Sequence, residues 1–154
     1  MSPTTAFRLI STRLKLYLLE DTLEKYQHRL ELQVRDYECD IQGIVNNAIY
    51  QNYLEHARHQ FLLSKGVDFI DLSSKGIDLV VVRIELDYKL PLRPDDGFWV
   101  GSNIEKISKI KIGFNQSIYR LKDERLVLQA KVIGAAIDNA GKPCRTTTLD
   151  SLFD

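Results

Sequence analysis

A single apolar stripe of helical period, set among segments that alternate, narrows the fold of this chain more than any other feature. Val45, Ile49, Tyr53, Ala57 and Phe61 recur every fourth residue, and Tyr50 and Leu54 widen the stripe. This spacing predicts a helix over Val45–Leu62 with one apolar face. It has about five turns at 3.6 residues per turn, and Gly66 supplies its C-cap. Elsewhere the period is two. Leu30–Arg35, LELQVR, alternates apolar and polar residues as a half-buried strand does. After Gly76, Val82, Ile84, Leu86, Tyr88 and Leu90 alternate with Arg83, Glu85, Asp87 and Lys89. Further strands are predicted over Phe98–Ile107, Lys109–Leu121 and Arg125–Ile137, separated by PLRPDDG, LKDERL and DNAGKP. In the fourth strand Ile110, Ile112, Phe114 and Ile118 share one face.

A strand, one long helix and four strands on short turns predict an α+β domain with an antiparallel sheet rather than βαβ repeats. Such a sheet has one apolar face to cover, and the helix is the available cover. The expected architecture is a curved antiparallel sheet of about five strands wrapped around one long helix. The 154 residues are enough for one such core, since a domain of this size buries roughly 70% of its unfolded surface. Ahead of it, Phe7, Ile10, Leu14, Tyr17 and Leu18 follow helical spacing, which predicts an N-terminal helical extension over residues 1–28 and the main domain over 29–154. The Arg, Lys, Ser and Thr of the first 18 residues faintly resemble a transit peptide, but the acids Glu20, Asp21 and Glu24 favour the helix.

Lys plus Arg and Asp plus Glu number 21 each, so no net field draws the chain to nucleic acid or to anionic lipid. No apolar run approaches the roughly 18 residues that a membrane span needs. Cys39 and Cys144 have neither metal-ligand nor disulfide-framework spacing, which predicts free thiols in a reducing, cytoplasmic setting. Asp36, Glu38 and Asp40 around Cys39 oppose thiolate formation there. His56 and His59 stand three apart with no third ligand in view, so neither a metal nor a cofactor is expected.

The candidate chemistry lies in DIQGIVNNAIY, Asp40–Tyr50. Gly43 can bend the chain sharply and leave Asp40 beside the helix start. Asn46 is a candidate N-cap, and the amides of Asn46, Asn47 and Ala48 lack intrahelical acceptors. With the helix dipole they form a place where negative charge on an oxygen is stabilised. The plainer reading of Asp40 is a turn cap that bonds a nearby amide. Glu55 is a second candidate carboxylate, but its plainer reading is pairing with Arg58 or a neighbouring chain. Lys106, Lys109 and Lys111 form a basic strip in EKISKIK, either a solvated strand face or a clamp for phosphates.

VRDYECDIQGIVNNAIYQNYLEHAR, Val34–Arg58, and VVVRIELDYKLPLRPDD, Val80–Asp96, resemble the hotdog-fold acyl-CoA thioesterases of the 4-hydroxybenzoyl-CoA thioesterase type. The likeness covers about Arg29–Asp138. It implies the hotdog fold, an acyl-CoA substrate, and Asp40 as nucleophile or general base. It further implies that the backbone amide of Asn47 polarises the thioester carbonyl. Gly43, Ile44 and Val45 would then shape the site, with Val81 and Val82 lining an acyl pocket and Lys106, Lys109 and Lys111 meeting the coenzyme. The family places its active site between subunits, which implies a homodimer or homotetramer. Two alternatives accompany this reading: a thioesterase acting on acyl carrier protein, and a non-catalytic module that binds acyl-CoA.

Overall fold

A computed structural model describes Glu20 and residues 25–154. The helix expected in the N-terminal extension lies outside the described residues, and His28, the extension's last residue, already belongs to the sheet. Five strands, β1 (His28–Gln33), β2 (Ile77–Tyr88), β3 (Gly97–Lys106), β4 (Lys111–Arg120) and β5 (Leu126–Asp138), form one curved antiparallel sheet. Its order is β1-β3-β4-β5-β2. The helix α1 (Ile49–Ser64) lies against its concave face, and two short helices, α2 (Phe69–Ser74) and α3 (Thr147–Asp150), follow α1 and β5. This is the α+β hotdog arrangement expected from the sequence.

Strand boundaries agree with the alternation to within two residues except in β2, which begins five residues early at Ile77. The cause is a bulge: Val81 pairs with Gly134 and Arg83 with Ile133, leaving Val82 as an extra residue. Ile77 and Leu79 pack inward before the bulge, and Ile84 packs inward after it. The inserted residue shifts the inward parity from odd to even. Val81 and Val82 stay 49% and 52% exposed on this edge strand.

The helix starts four residues later than expected, at Ile49. Val45 does not enter it, because Val45 forms an isolated bridge with Cys39 and its amide donates to the Leu92 carbonyl at 2.9 Å. These longer-range bonds hold the chain extended where the apolar period alone continues the helix. The N-cap is accordingly Ala48 and not Asn46. At the other end Lys65 is the C-cap, and Gly66 follows it with φ +78°. The Gly66 amide donates to Leu63 and the Val67 amide to Leu62, both at 2.9 Å, closing a Schellman turn. A Cβ at Gly66 would meet nothing within 4 Å, so only backbone strain opposes a substitution. Gly66→Ala should therefore cost about 1 kcal/mol, read as a lower urea midpoint at unchanged m-value.

The interior has two apolar clusters. One gathers Val34, Val45, Tyr50, Tyr53 and Leu54 with Phe98, Val100 and Ile118; the other gathers Phe61, Leu62, Leu72, Ile112, Phe114 and Leu149. Between them lies a buried polar seam. Gln116 donates to the Leu54 carbonyl at 3.1 Å and to Ser102 Oγ at 2.9 Å, and its Oε1 accepts from Arg58 Nη1 at 3.1 Å.

Candidate active site

The residues from Arg35 to Ala48 fold as a loop tied down at many points. Asp36–Glu38 form one 3-10 turn, opened by a reciprocal cap in which the Arg35 amide donates to Glu38 Oε2 at 2.8 Å. The same Glu38 oxygen accepts from the Tyr53 hydroxyl at 2.6 Å. Both groups are buried, and burial together with the Glu38 carboxylate pushes the Tyr53 hydroxyl far above the usual tyrosine pKa. The pair pins the loop to α1. On the loop's other side, the Tyr50 hydroxyl accepts from the Leu92 amide at 3.0 Å.

Next to Glu38, Cys39 is a free thiol whose pKa is raised by burial first and then by Asp40, Glu38 and Asp36. Asp40 follows. Its amide donates to the Ile44 carbonyl at 2.8 Å, and its own carbonyl accepts from the Gly43 amide at 2.9 Å. Gly43 has φ +71°, the left-handed conformation that this reversal requires. Asp40 does cap its turn: Oδ1 accepts from the Gln42 amide at 2.9 Å. Two carboxylate oxygens offer about four lone pairs, so capping leaves acceptor capacity on the carboxylate.

The helix-start amides divide unequally. Asn46 N–H donates to the Glu38 carbonyl at 3.0 Å, Ala48 N–H to Asn46 Oδ1 at 3.0 Å, and Ile49 N–H to the Asn46 carbonyl at 2.9 Å. The expectation that the amides of Asn46, Asn47 and Ala48 all stay available is corrected, because the loop supplies acceptors for the first and third. Among the described residues, only the Asn47 amide of these three engages no acceptor. It is the donor that the sequence resemblance singled out.

Asp40 and Asn47 line one cavity of about 380 Å³, together with Ile44, Val45, Tyr50, Tyr88, Lys89, Leu90 and Pro91. The arrangement sets a carboxylate and an uncommitted N–H donor around an apolar space. The other expected site residues are not gathered there. Gly43 shapes the loop without lining the cavity. Val81 lies at a separate cleft of about 70 Å³ with Glu55, Arg58, His59 and Val80, and Val82 is the exposed bulge residue. Lys106 is paired with Asp150 at 2.9 Å, Lys109 is in the turn before β4, and Lys111 opens that strand. In the sequence Tyr88 and Tyr50 fall in alternating and helical patterns, which give no sign of a role at the site. Glu38 and Tyr53 were likewise unassigned, since Tyr53 reads as one more apolar stripe residue.

Comparison with known proteins places this geometry in context. A family model described as the thioesterase-like superfamily matches residues 34–151. The chain is 39% identical over 118 residues, 77% of its length, to the chloroplastic acyl-acyl carrier protein thioesterase ATL3 of Arabidopsis thaliana, and equally so to ATL2 from the same plant. It spans 62% and 63% of those two relatives. The crystal structure of Slr0204, a 1,4-dihydroxy-2-naphthoyl-CoA thioesterase from Synechocystis, superposes with a TM-score of 0.77 over 82% of this chain and 95% of that one. At 19% identity, that likeness is one of fold.

Proposed function

The chain belongs to the thioesterase-like superfamily, and from that premise we propose that it hydrolyses an acyl thioester to a carboxylic acid and a free thiol. The observation that carries the proposal is that the Asp40 carboxylate and the unengaged Asn47 amide line the same apolar-walled cavity. The thioester oxygen docks on the Asn47 N–H, which stabilises the charge that develops as the carbonyl carbon becomes tetrahedral. Asp40 acts on that carbon directly, forming an anhydride that water opens, or removes a proton from the attacking water. In both routes the C–S bond breaks, water supplies the acid's new oxygen, and the sulfur leaves as the thiol. Gly43 sets the turn, and Ile44 and Val45 wall the reacting group.

The substrate is an acyl group on a phosphopantetheine arm, which coenzyme A and acyl carrier protein share. The resemblance in sequence favours acyl-CoA; the 39% identity to two thioesterases named for acyl carrier protein supports the carrier as a second reading. Lys109 and Lys111 serve either, meeting phosphates or an acidic protein surface, whereas Lys106 is already committed to Asp150. In this reading a second copy, in a homodimer or homotetramer, brings its Val81 and Val82 to the acyl chain. For location, the free thiols Cys39 and Cys144 support a reducing compartment, and the chloroplastic relatives add the plastid to the cytoplasm as a setting.

The test is thiol release from matched acyl-CoA and acyl carrier protein thioesters by the purified protein. Release from one or both is the expected result. Tight binding of every thioester with no thiol released would leave only a non-catalytic binding module. Asn47→Ala should keep turnover within about threefold, because the donor is backbone and survives the change. A drop of about 100-fold would move the donor to the Asn47 side chain.

A further inference from the structure

Tyr88 ends β2, and its hydroxyl donates to the Asn47 carbonyl at 3.0 Å. The ring is held edge-on against Tyr50, with centroids 5.6 Å apart, and both rings wall the cavity that contains Asp40. Two peptide planes meet at Asn47. The first carries the Asn46 carbonyl and the Asn47 N–H, which point in opposite directions because the peptide is trans. The Ile49 amide bonds that carbonyl at 2.9 Å and so directs the Asn47 N–H away from the helix body. The second plane carries the Asn47 carbonyl and the Ala48 N–H; that N–H donates to Asn46 Oδ1 at 3.0 Å inside the loop, and among the described residues Tyr88 is the carbonyl's partner outside the loop and helix. With the first plane held by the helix and the second by the sheet, neither backbone torsion of Asn47 is free to drift.

Deepening the proposed hydrolysis and resting on it, we infer that Tyr88 is a positioning residue, whose hydroxyl fixes the orientation of the Asn47 amide toward the thioester oxygen. A donor that must reorient during the reaction stabilises the developing charge less than one already aimed at it. The N–H bond to that oxygen strengthens as the oxygen gains charge, so the effect falls mainly on the chemical step and little on ground-state binding.

Tyr88→Phe removes the hydroxyl and keeps the ring. With decanoyl-CoA or decanoyl-acyl carrier protein, whichever the wild-type protein turns over, kcat should fall about 10-fold while KM stays within about twofold. Hydrogen exchange at the Ala48 amide, which shares a peptide plane with the Asn47 carbonyl and donates to Asn46 Oδ1, gives a substrate-free readout and should accelerate in Tyr88→Phe while the Ile49 amide keeps its wild-type rate. Asp40→Asn is measured alongside. If Asp40→Asn abolishes turnover but Tyr88→Phe leaves kcat unchanged, or raises KM alone, the positioning role is overturned and the hydrolase reading stands. If Asp40→Asn turns over like the wild type, Asp40 is a turn cap and the kcat of Tyr88→Phe alone decides this inference; if the wild-type protein releases no thiol from either thioester, the hydrolase reading falls, and this inference with it.

Discussion

Asp40→Asn should lower thioester turnover at least about 100-fold, because losing a positioned base or nucleophile removes on the order of 100- to 10,000-fold in rate. The lower bound corresponds to about 2.7 kcal/mol of barrier. The substitution isolates charge from shape. The asparagine oxygen can still accept from the Gln42 amide, which Asp40 Oδ1 does now at 2.9 Å, and the backbone bonds to Ile44 and Gly43 do not involve the side chain. The turn therefore persists, the thermal midpoint should stay within a degree or two, and KM should change little, since in the proposed hydrolysis the thioester oxygen docks on the Asn47 amide and not on Asp40. Turnover near the wild-type value would reduce Asp40 to a turn cap.

Gln116→Leu should destabilise the fold by about 3 kcal/mol. Gln116 is 2% exposed, and it is the hydrogen-bond partner of an Arg58 side chain that is itself 7% exposed. Leucine fills much the same volume yet accepts no hydrogen bond. A buried guanidinium would then lose its acceptor, and burial already lowers the Arg58 pKa. The guanidinium remains protonated at neutral pH, so it cannot escape the penalty by neutralising. The Ser102 hydroxyl, fully buried, loses its partner as well. Urea unfolding of Gln116→Leu, Arg58→Leu and the double variant would measure the coupling, and the double variant should be more stable than the sum of the single losses allows. A loss under about 1 kcal/mol in Gln116→Leu would show that Arg58 is satisfied elsewhere.

The elements that the sequence announced are those whose periodicity is local. The stripe from Ile49 to Phe61 and the alternation in β1, β3, β4 and β5 each reflect one face against one core, and such a pattern is readable without knowing the partner. What was not readable depends on contacts between distant segments. Val45 belongs to the apolar period yet is drawn out of the helix by the Leu92 carbonyl. Val80, Val81 and Val82 give no sign of which residue the bulge will leave unpaired, because all three are equally apolar. Gln116 stands between Phe114 and Ile118 on the inward face of β4, so a polar residue in a core position was visible; its partners Ser102 and Arg58 were not. At the site, the Asp40, Gly43 and Asn47 pattern was legible as a motif. The resemblance pointed to the Asn47 amide, but the reason it alone of the three stays free was not legible, because it follows from the Glu38 carbonyl and the Asn46 side chain acting as acceptors.

The seam of Arg58, Gln116 and Ser102 acts as a bulkhead across the interior. Space opened by trimming a side chain on one side of it cannot be filled by neighbours sliding over from the other, since that would break hydrogen bonds with no water to replace them. Changes that resize the chamber beside Asp40 are therefore confined to the compartment of Val45, Tyr50 and Leu54. The compartment of Phe61, Ile112 and Leu149 keeps its own packing throughout, a ballast that lets the end beside Asp40 be recut while the rest of the molecule holds its shape.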